Sequence, residues 1–363
     1  MKTNQNINRV GIVLAALCLT LNIAAQGGDA FNKEIRKEFP VNPQTRIEVS
    51  NKYGNVDITN SQEARISIRV VVLVKGKDQR RAEEVLKMIN IHVSQEGDLI
   101  KAVTEIDDDF GRVFKGFNTS NDGLEINYTI SMPKTVPIKL LNKYGNVFID
   151  ELTSTSVIDV KYGKLTANRL VHDSREPLTK VYLSYSNGTL QEAKWIELDI
   201  KYSKISIIES KALAIISKYS KVFVTNGSSV VSESKYDTYE LGKLTNFVST
   251  AAYGHFTIES LTGKLQLETK YTDVTVNQIA EGFEDIKVNN SYGSYRLGID
   301  PGASYRLNGY SKYCNISYPA ENARVNRFNE NNEMKVNGVI GTNSNPKAEV
   351  SINSSYGNIR LVR

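Results

Sequence analysis

A tyrosine recurs along this chain inside one fixed local pattern, at Tyr53, Tyr144, Tyr162, Tyr185, Tyr202, Tyr219, Tyr236, Tyr253, Tyr271, Tyr292, Tyr313 and Tyr356. From Tyr185 to Tyr253 the step is 17 residues four times running, and the next steps are 18, 21 and 21. Repetition at a short fixed period constrains a fold more than composition does. Each copy is one unit that can bury its apolar stripe only against the next copy.

The copy around Tyr202 shows the pattern. Ile196, Leu198, Ile200 and Tyr202 alternate with Glu197, Asp199 and Lys201. This is the period of two expected of a strand with one buried face. After Tyr202 the phase slips by one residue, and the next apolar positions are Ile205 and Ile207. Such a slip requires a corner, because otherwise the second segment would turn its apolar set to water. By this phase the tyrosine belongs to the inward set. Gly54, Gly145, Gly163, Gly254, Gly293 and Gly357, or Ser186, Ser203 and Ser220, stand just after it. Asn55, Asn146, Asn187, Asn315 and Asn358 follow. Gly and Asn are the residues most at ease at positive φ, so the corner strain is expected there.

A period of 17–21 residues holds two short strands and two turns, and helical periodicity is absent from it. The expected fold class is all-β: a parallel β-helix or β-roll solenoid with two-strand rungs and one inserted helix near the N-terminus. About ten rungs at a spacing of about 4.8 Å would make a rod of roughly 48 Å. The expected division is a signal peptide (1–25), irregular capping rungs with the helix (26–137), the regular tyrosine-marked stack (138–318), and an Asn-rich excursion with a final rung (319–363). The helix is expected over 78–89, with Asp78 as N-cap and Ala82, Val85, Leu86 and Ile89 on one face.

The first 25 residues have the layout of a cleaved export signal. Lys2 and Arg9 precede the apolar run Val10 to Leu21, and small residues follow at Ala24 and Ala25. An uncleaved anchor is the competing reading. Without the signal one cysteine remains, Cys314, so the core and not a disulfide must hold the fold. Export implies the periplasm or the cell surface. A net charge of +5 over 363 residues speaks against nucleic acid as the main partner.

Two rows of side chains are candidate sites. Tyr144, Tyr162, Tyr185, Tyr202, Tyr219, Tyr236, Tyr253, Tyr271, Tyr292 and Tyr313 would form a ladder, either fixing register or offering aromatic platforms to sugar rings. Lys52, Lys143, Lys161, Lys201, Lys218, Lys235, Lys270 and Lys312 precede tyrosines and point outward, and Lys164, Lys204 and Lys221 lie just past the corner. Charges about 4.8 Å apart in water repel by roughly 0.9 kcal/mol before screening. The densest patch, Lys201, Lys204, Lys218, Lys221 and Lys235, is thus a candidate for an anionic ligand. Asp199, Glu233 and Glu268 sit two residues before a lysine and are placed to neutralise it.

Asp107, Asp108 and Asp109 match no calcium loop, Asp109-Phe110-Gly111 lacks the rest of a kinase set, and His92, His172 and His255 are isolated in sequence. Cys314 takes a corner position usually held by Gly or Ser. The sequence therefore assigns no catalytic, metal or cofactor residue.

The signal peptide, the entry segment Arg46 to Ile58, the helix-bearing insert, the Met132 to Pro137 step and the repeated Tyr-Gly-x-φ-x-φ unit together resemble the exported bacterial β-solenoid family labelled "putative adhesin". The resemblance covers nearly all of the mature chain and supplies no catalytic residues. It implies a non-catalytic envelope protein, structural or adhesive, with an envelope glycan or another envelope protein as partner. A periplasmic scaffold or regulator is the alternative. A carbohydrate-active β-helix enzyme is the weaker one, since the regular rungs are too short to carry cleft-forming loops.

Overall fold

The computed structural model of the protein describes residues 30–76, 78–114 (backbone only for 113 and 114), 123–174, 176 and 178–363. The expected signal peptide lies outside the described residues, as does 115–122 of the expected polar loop.

The alternating segments become strands for the reason their pattern gives: one face is apolar and continuous with the same face of the next copy. In the regular part each copy is one long strand: Asn187–Lys201, Lys204–Lys218, Lys221–Lys235, Thr238–Ala252 and His255–Lys270. Each pairs in parallel with the next along its length. Lys204 lies opposite Lys221, Leu213 opposite Val230 and Lys218 opposite Lys235, a constant offset of 17. Ile205, Ile207, Leu213 and Ile215 are buried, as the alternation requires. The second turn of each copy is a bend within the strand, where Ile208 and Glu209 are exposed in succession and the alternation restarts. Toward both ends of the stack the copies divide into separate strands, such as Ile138–Lys143 and Val147–Leu152. The described strands form one 26-stranded sheet.

Antiparallel strands close both ends. At the N-terminal end Ala30–Pro40, Arg65–Lys75 and Gly123–Met132 run antiparallel, and Ile89–Glu96 pairs with Leu99–Ile106 in the same way. Helix α1 (Gln79–Lys87) joins them. Its N-cap Asp78 accepts from the Arg81 N–H at 3.2 Å, and Ala82 and Val85 are buried. A bare parallel end would present unpaired backbone groups along a flat edge, and these strands cover it.

The C-terminal end departs from the expected order. Glu349 to Arg363 is not the last rung. Ala348–Ser355 inserts between Asp285–Ser291 and Tyr305–Lys312, parallel to both. Tyr305–Lys312 is thereby left outermost among the parallel strands, and the Asn-rich excursion covers it antiparallel with Glu333–Ile340 and Ala323–Glu330. Asn331 and Asn332, both at positive φ, form the two-residue turn between those strands. The inversion allows a hairpin, not an open parallel edge, to end the stack.

Candidate functional site: a tyrosine column flanked by lysines

Each corner consists of a tyrosine and the residue after it. The positive φ expected of Gly or Asn falls on the tyrosine itself: all twelve repeat tyrosines have φ between 50° and 65°. This backbone turn makes Lys201 and Tyr202 face outward in succession, and Ser203 then points inward. The tyrosines are therefore an outward set, which corrects the inward assignment made from phase alone. Eleven of them are 41–52% exposed, and Tyr53 is half-buried. Period-two counting places the slip but cannot say which residue absorbs it.

The glycines serve close approach. A Cβ at Gly145 would lie 1.9 Å from the Gly54 carbonyl oxygen, and one at Gly357 1.9 Å from that of Gly293. Where the corner widens, a short polar side chain fills it and accepts from the neighbouring copy. Ser186 N–H donates to Ser203 Oγ (3.1 Å), Ser203 N–H to Ser220 Oγ (3.2 Å) and Ser220 N–H to Asp237 Oδ1 (2.7 Å). The corner asparagines bond outward along the stack: Asn146 N–H donates to Asn55 Oδ1 and Lys164 N–H to Asn146 Oδ1. Buried Asp237 also accepts from Ser217 Oγ, Ser234 Oγ and the Lys235 N–H, so this carboxylate is saturated by four donors.

The tyrosine rings form one column. Consecutive rings stack at 4.8–5.3 Å between centroids with interplanar angles of 2–20°. Tyr356 stands between Tyr292 and Tyr313, following the strand inversion. Phe110, set aside in the sequence as part of a spurious tripeptide, stacks on Tyr53 at 6.1 Å and ends the column. No repeat signal marks it. Left-handed backbone costs roughly 1–2 kcal/mol per tyrosine, while each stacked pair returns ~0.5–1.5 kcal/mol. The two nearly offset each other, so the column fixes register more than it adds stability. Because each interior ring has neighbours on both faces, the column offers edges and hydroxyls and no flat platform for a sugar.

The lysines preceding the tyrosines lie in register. Lys52, Lys143 and Lys161 are successive cross-strand partners, as are Lys201, Lys218 and Lys235. Lys204 and Lys221 pair on the other side of the column. All five residues of the expected patch are exposed. Lys52, Lys143, Lys235 and Lys312 place Nζ 4.8–5.7 Å from the centroid of the following tyrosine ring, within cation–π reach. Of the three acids expected to neutralise the row, Asp199 pairs with Lys201 at 3.1 Å. Glu233 and Glu268 pair with no lysine among the described residues.

The remaining candidates do not converge. His92 pairs with Glu105 at 3.1 Å on the end hairpin, His172 contacts Thr155 Oγ1 at 3.1 Å, and His255 faces outward beside the column. Asp107 accepts from the Asp109 N–H, and Asp109 pairs with Arg112. Cys314 is a half-buried corner filler with Sγ 3.5 Å from the Ser354 carbonyl oxygen. Among the described residues no three His, Cys, Asp or Glu side chains gather as a metal site would need. No helix of the described residues is long and apolar enough to cross a membrane, which says nothing of spanning by strands.

No family model matches the chain, and no curated protein does. Solved structures to which it is similar include a "putative adhesin" from Bacteroides fragilis NCTC 9343 (12% identity, TM-score 0.29, 91% of this chain and 97% of that one). Another is a "putative adhesin" from Parabacteroides distasonis ATCC 8503 (10%, 0.32, 91% and 97%). A third is a "putative cell adhesion protein" from Clostridium sporogenes ATCC 15579 (10%, 0.19, 91% and 99%). These neighbours agree in kind with the adhesin resemblance read from the sequence. Superpositions this loose carry no functional argument.

Proposed function

We propose that this protein is an exported, non-catalytic β-solenoid of the cell envelope that adheres to an anionic envelope glycan along the strip beside its tyrosine column. In this reading residues 138–318 are the regular body, 26–137 are irregular rungs with the inserted helix and a capping role, and 319–363 are an Asn-rich excursion over the C-terminal end followed by a rung that inserts within the stack. The observation that carries the proposal is the in-register lysine rows. Lys218 and Lys221 have no ion-pair partner among the described residues, and only Lys201 of the patch is paired with an acid. Like charges held one strand spacing apart repel, and a polyanion lying along the stack relieves them all at once. Many weak sites in a line give avidity without any single strong contact.

The test is retention on an immobilised acidic polysaccharide in rising salt. Replacing Lys201, Lys204, Lys218, Lys221 and Lys235 by Ala together should move elution to lower salt. Elution unchanged from the native protein would remove the proposal.

A further inference from the structure

The lysine row is interrupted at Ser184, between Lys161 and Lys201, and again just past its densest patch. At the copy ending in Tyr253 the outward residues are Thr250 and Ala252. Thr250 lies between Glu233 and Glu268, and Ala252 between Lys235 and Lys270, each in direct parallel register. A groove follows from the difference in side-chain length, lined by Ile216, Lys218, Glu233, Lys235, Thr250, Ala252, Glu268 and Lys270. Its walls are two strand spacings apart, about 10 Å. The two lysines face each other across Ala252, and the two glutamates across Thr250. All four charged residues are exposed.

A second observation makes this groove more than a row of small residues. In the copies ending in Tyr162 and Tyr202 the acid two residues before the tyrosine's lysine pairs with it, at 3.2 and 3.1 Å. Glu233 and Lys235, and Glu268 and Lys270, have the same spacing and the longer acid, yet neither pair forms. Among the described residues neither glutamate has any ion-pair partner. Two cations thus border one half of the groove and two carboxylates the other, about 6.5 Å apart along the strand.

We infer that this groove is a binding site for a phosphoethanolamine-type group, with the phosphate held between Lys235 and Lys270 and the ammonium between Glu233 and Glu268. A phosphate presents enough oxygens to accept from two lysines at once. An ammonium has three N–H donors for two carboxylates and the Thr250 hydroxyl. The separation of the two halves favours a ligand whose charges are several bonds apart. An α-amino acid, with both charged groups on one carbon, would leave one half unfilled. The site shares Lys235 with the glycan strip but does not depend on that reading, because its distinguishing half is anionic.

Titration calorimetry with O-phosphoethanolamine, inorganic phosphate and ethanolamine on the full chain tests this. Phosphoethanolamine should bind at least about tenfold more tightly than either fragment, as two oppositely charged contacts together require. The double variant Glu233→Gln, Glu268→Gln should lose this preference while its retention on acidic polysaccharide stays equal or increases. Failure of this site is thereby told apart from failure of the strip. Ala252→Lys, which fills the gap, should abolish binding. Two further arms identify the source of the group: vesicles containing phosphatidylethanolamine, and an oligosaccharide bearing phosphoethanolamine. Binding in either arm that the double variant loses supports the site. Equal affinity for phosphate and phosphoethanolamine, a preference that survives the double variant, or binding in neither arm would overturn it.

Discussion

Tyr219 offers the sharpest test of how the corner is built. Its φ is 52°, and its ring stacks on Tyr202 and Tyr236 at 4.9 Å each. Tyr219→Ala removes both contacts and leaves a side chain in the left-handed region. At ~0.5–1.5 kcal/mol per stacked pair, the expected loss is about 1–3 kcal/mol. Tyr219→Gly loses the same contacts but regains the roughly 1–2 kcal/mol of backbone strain, less about 0.5–1 kcal/mol for the greater freedom of the unfolded chain. Gly should therefore be as stable as Ala or more stable by up to about 1.5 kcal/mol, against the general rule that Gly destabilises a strand. Tyr219→Val should be the worst, since β-branched residues fit positive φ poorly. The assay is urea unfolding followed by circular dichroism, with midpoints compared at constant slope. Ala clearly more stable than Gly would refute the assignment of corner strain to the tyrosine.

Three further outcomes follow from the same geometry. Ile200→Asp places an unpaired charge where the side chain is fully enclosed, and should cost on the order of 3 kcal/mol or more; Glu197→Ser, outward on the same strand and paired only with Lys180, should stay within about 1 kcal/mol in the same urea assay. Asp237→Ala strands four donors, three of them buried, and should destabilise by about 3 kcal/mol, whereas Asp237→Asn, which keeps an acceptor, should cost less; equal losses would mean the carboxylate is not the hub of that corner. Burial pushes the phenols of Tyr128 and Tyr305 up to about 12, and raises those of Tyr239 and Tyr295 as well. A raised folded pKa means that this stability is present below the ordinary phenol value of 10 and is lost as pH rises from there through the folded values. Thermal midpoints should fall through that window, and Tyr128→Phe should lessen the fall.

Much of the fold was legible because the pattern is redundant. Ile205, Ile207, Ile200, Val274 and Tyr295 are inward as the alternation requires, and Asp78 caps the helix that Ala82 and Val85 hold down. Each such position is repeated in other copies or fixed by a local rule, so one sequence suffices. Three features had no such redundancy. The direction of the tyrosines depends on which residue of the corner takes positive φ. Counting cannot decide between Tyr202 and Ser203, and the usual preference for small residues pointed the wrong way. The placement of Tyr356 between Tyr292 and Tyr313 is a choice among strands of nearly identical pattern. It goes with the hairpin at 323–340, which pairs antiparallel with Tyr305–Lys312 and so makes that strand, not Ala348–Ser355, its neighbour in the stack. The seat of Phe110 at the end of the column is a tertiary contact of a single residue. At the candidate site the lysine rows were legible by position, but their pairing was not. Asp199 neutralises its lysine, while Glu233 and Glu268, at the same spacing, do not.

The central claim is that successive copies lie parallel, with a constant offset. Amide-to-amide nuclear Overhauser contacts in deuterated protein test it directly. Parallel stacking predicts contacts at a fixed sequence difference, linking Ser206 with Phe223 and Phe223 with Glu240, each 17 residues on. Contacts in which the residue numbers instead keep a fixed sum would show antiparallel pairing. The column, the lysine rows and the groove at Ala252 would then have no structural basis.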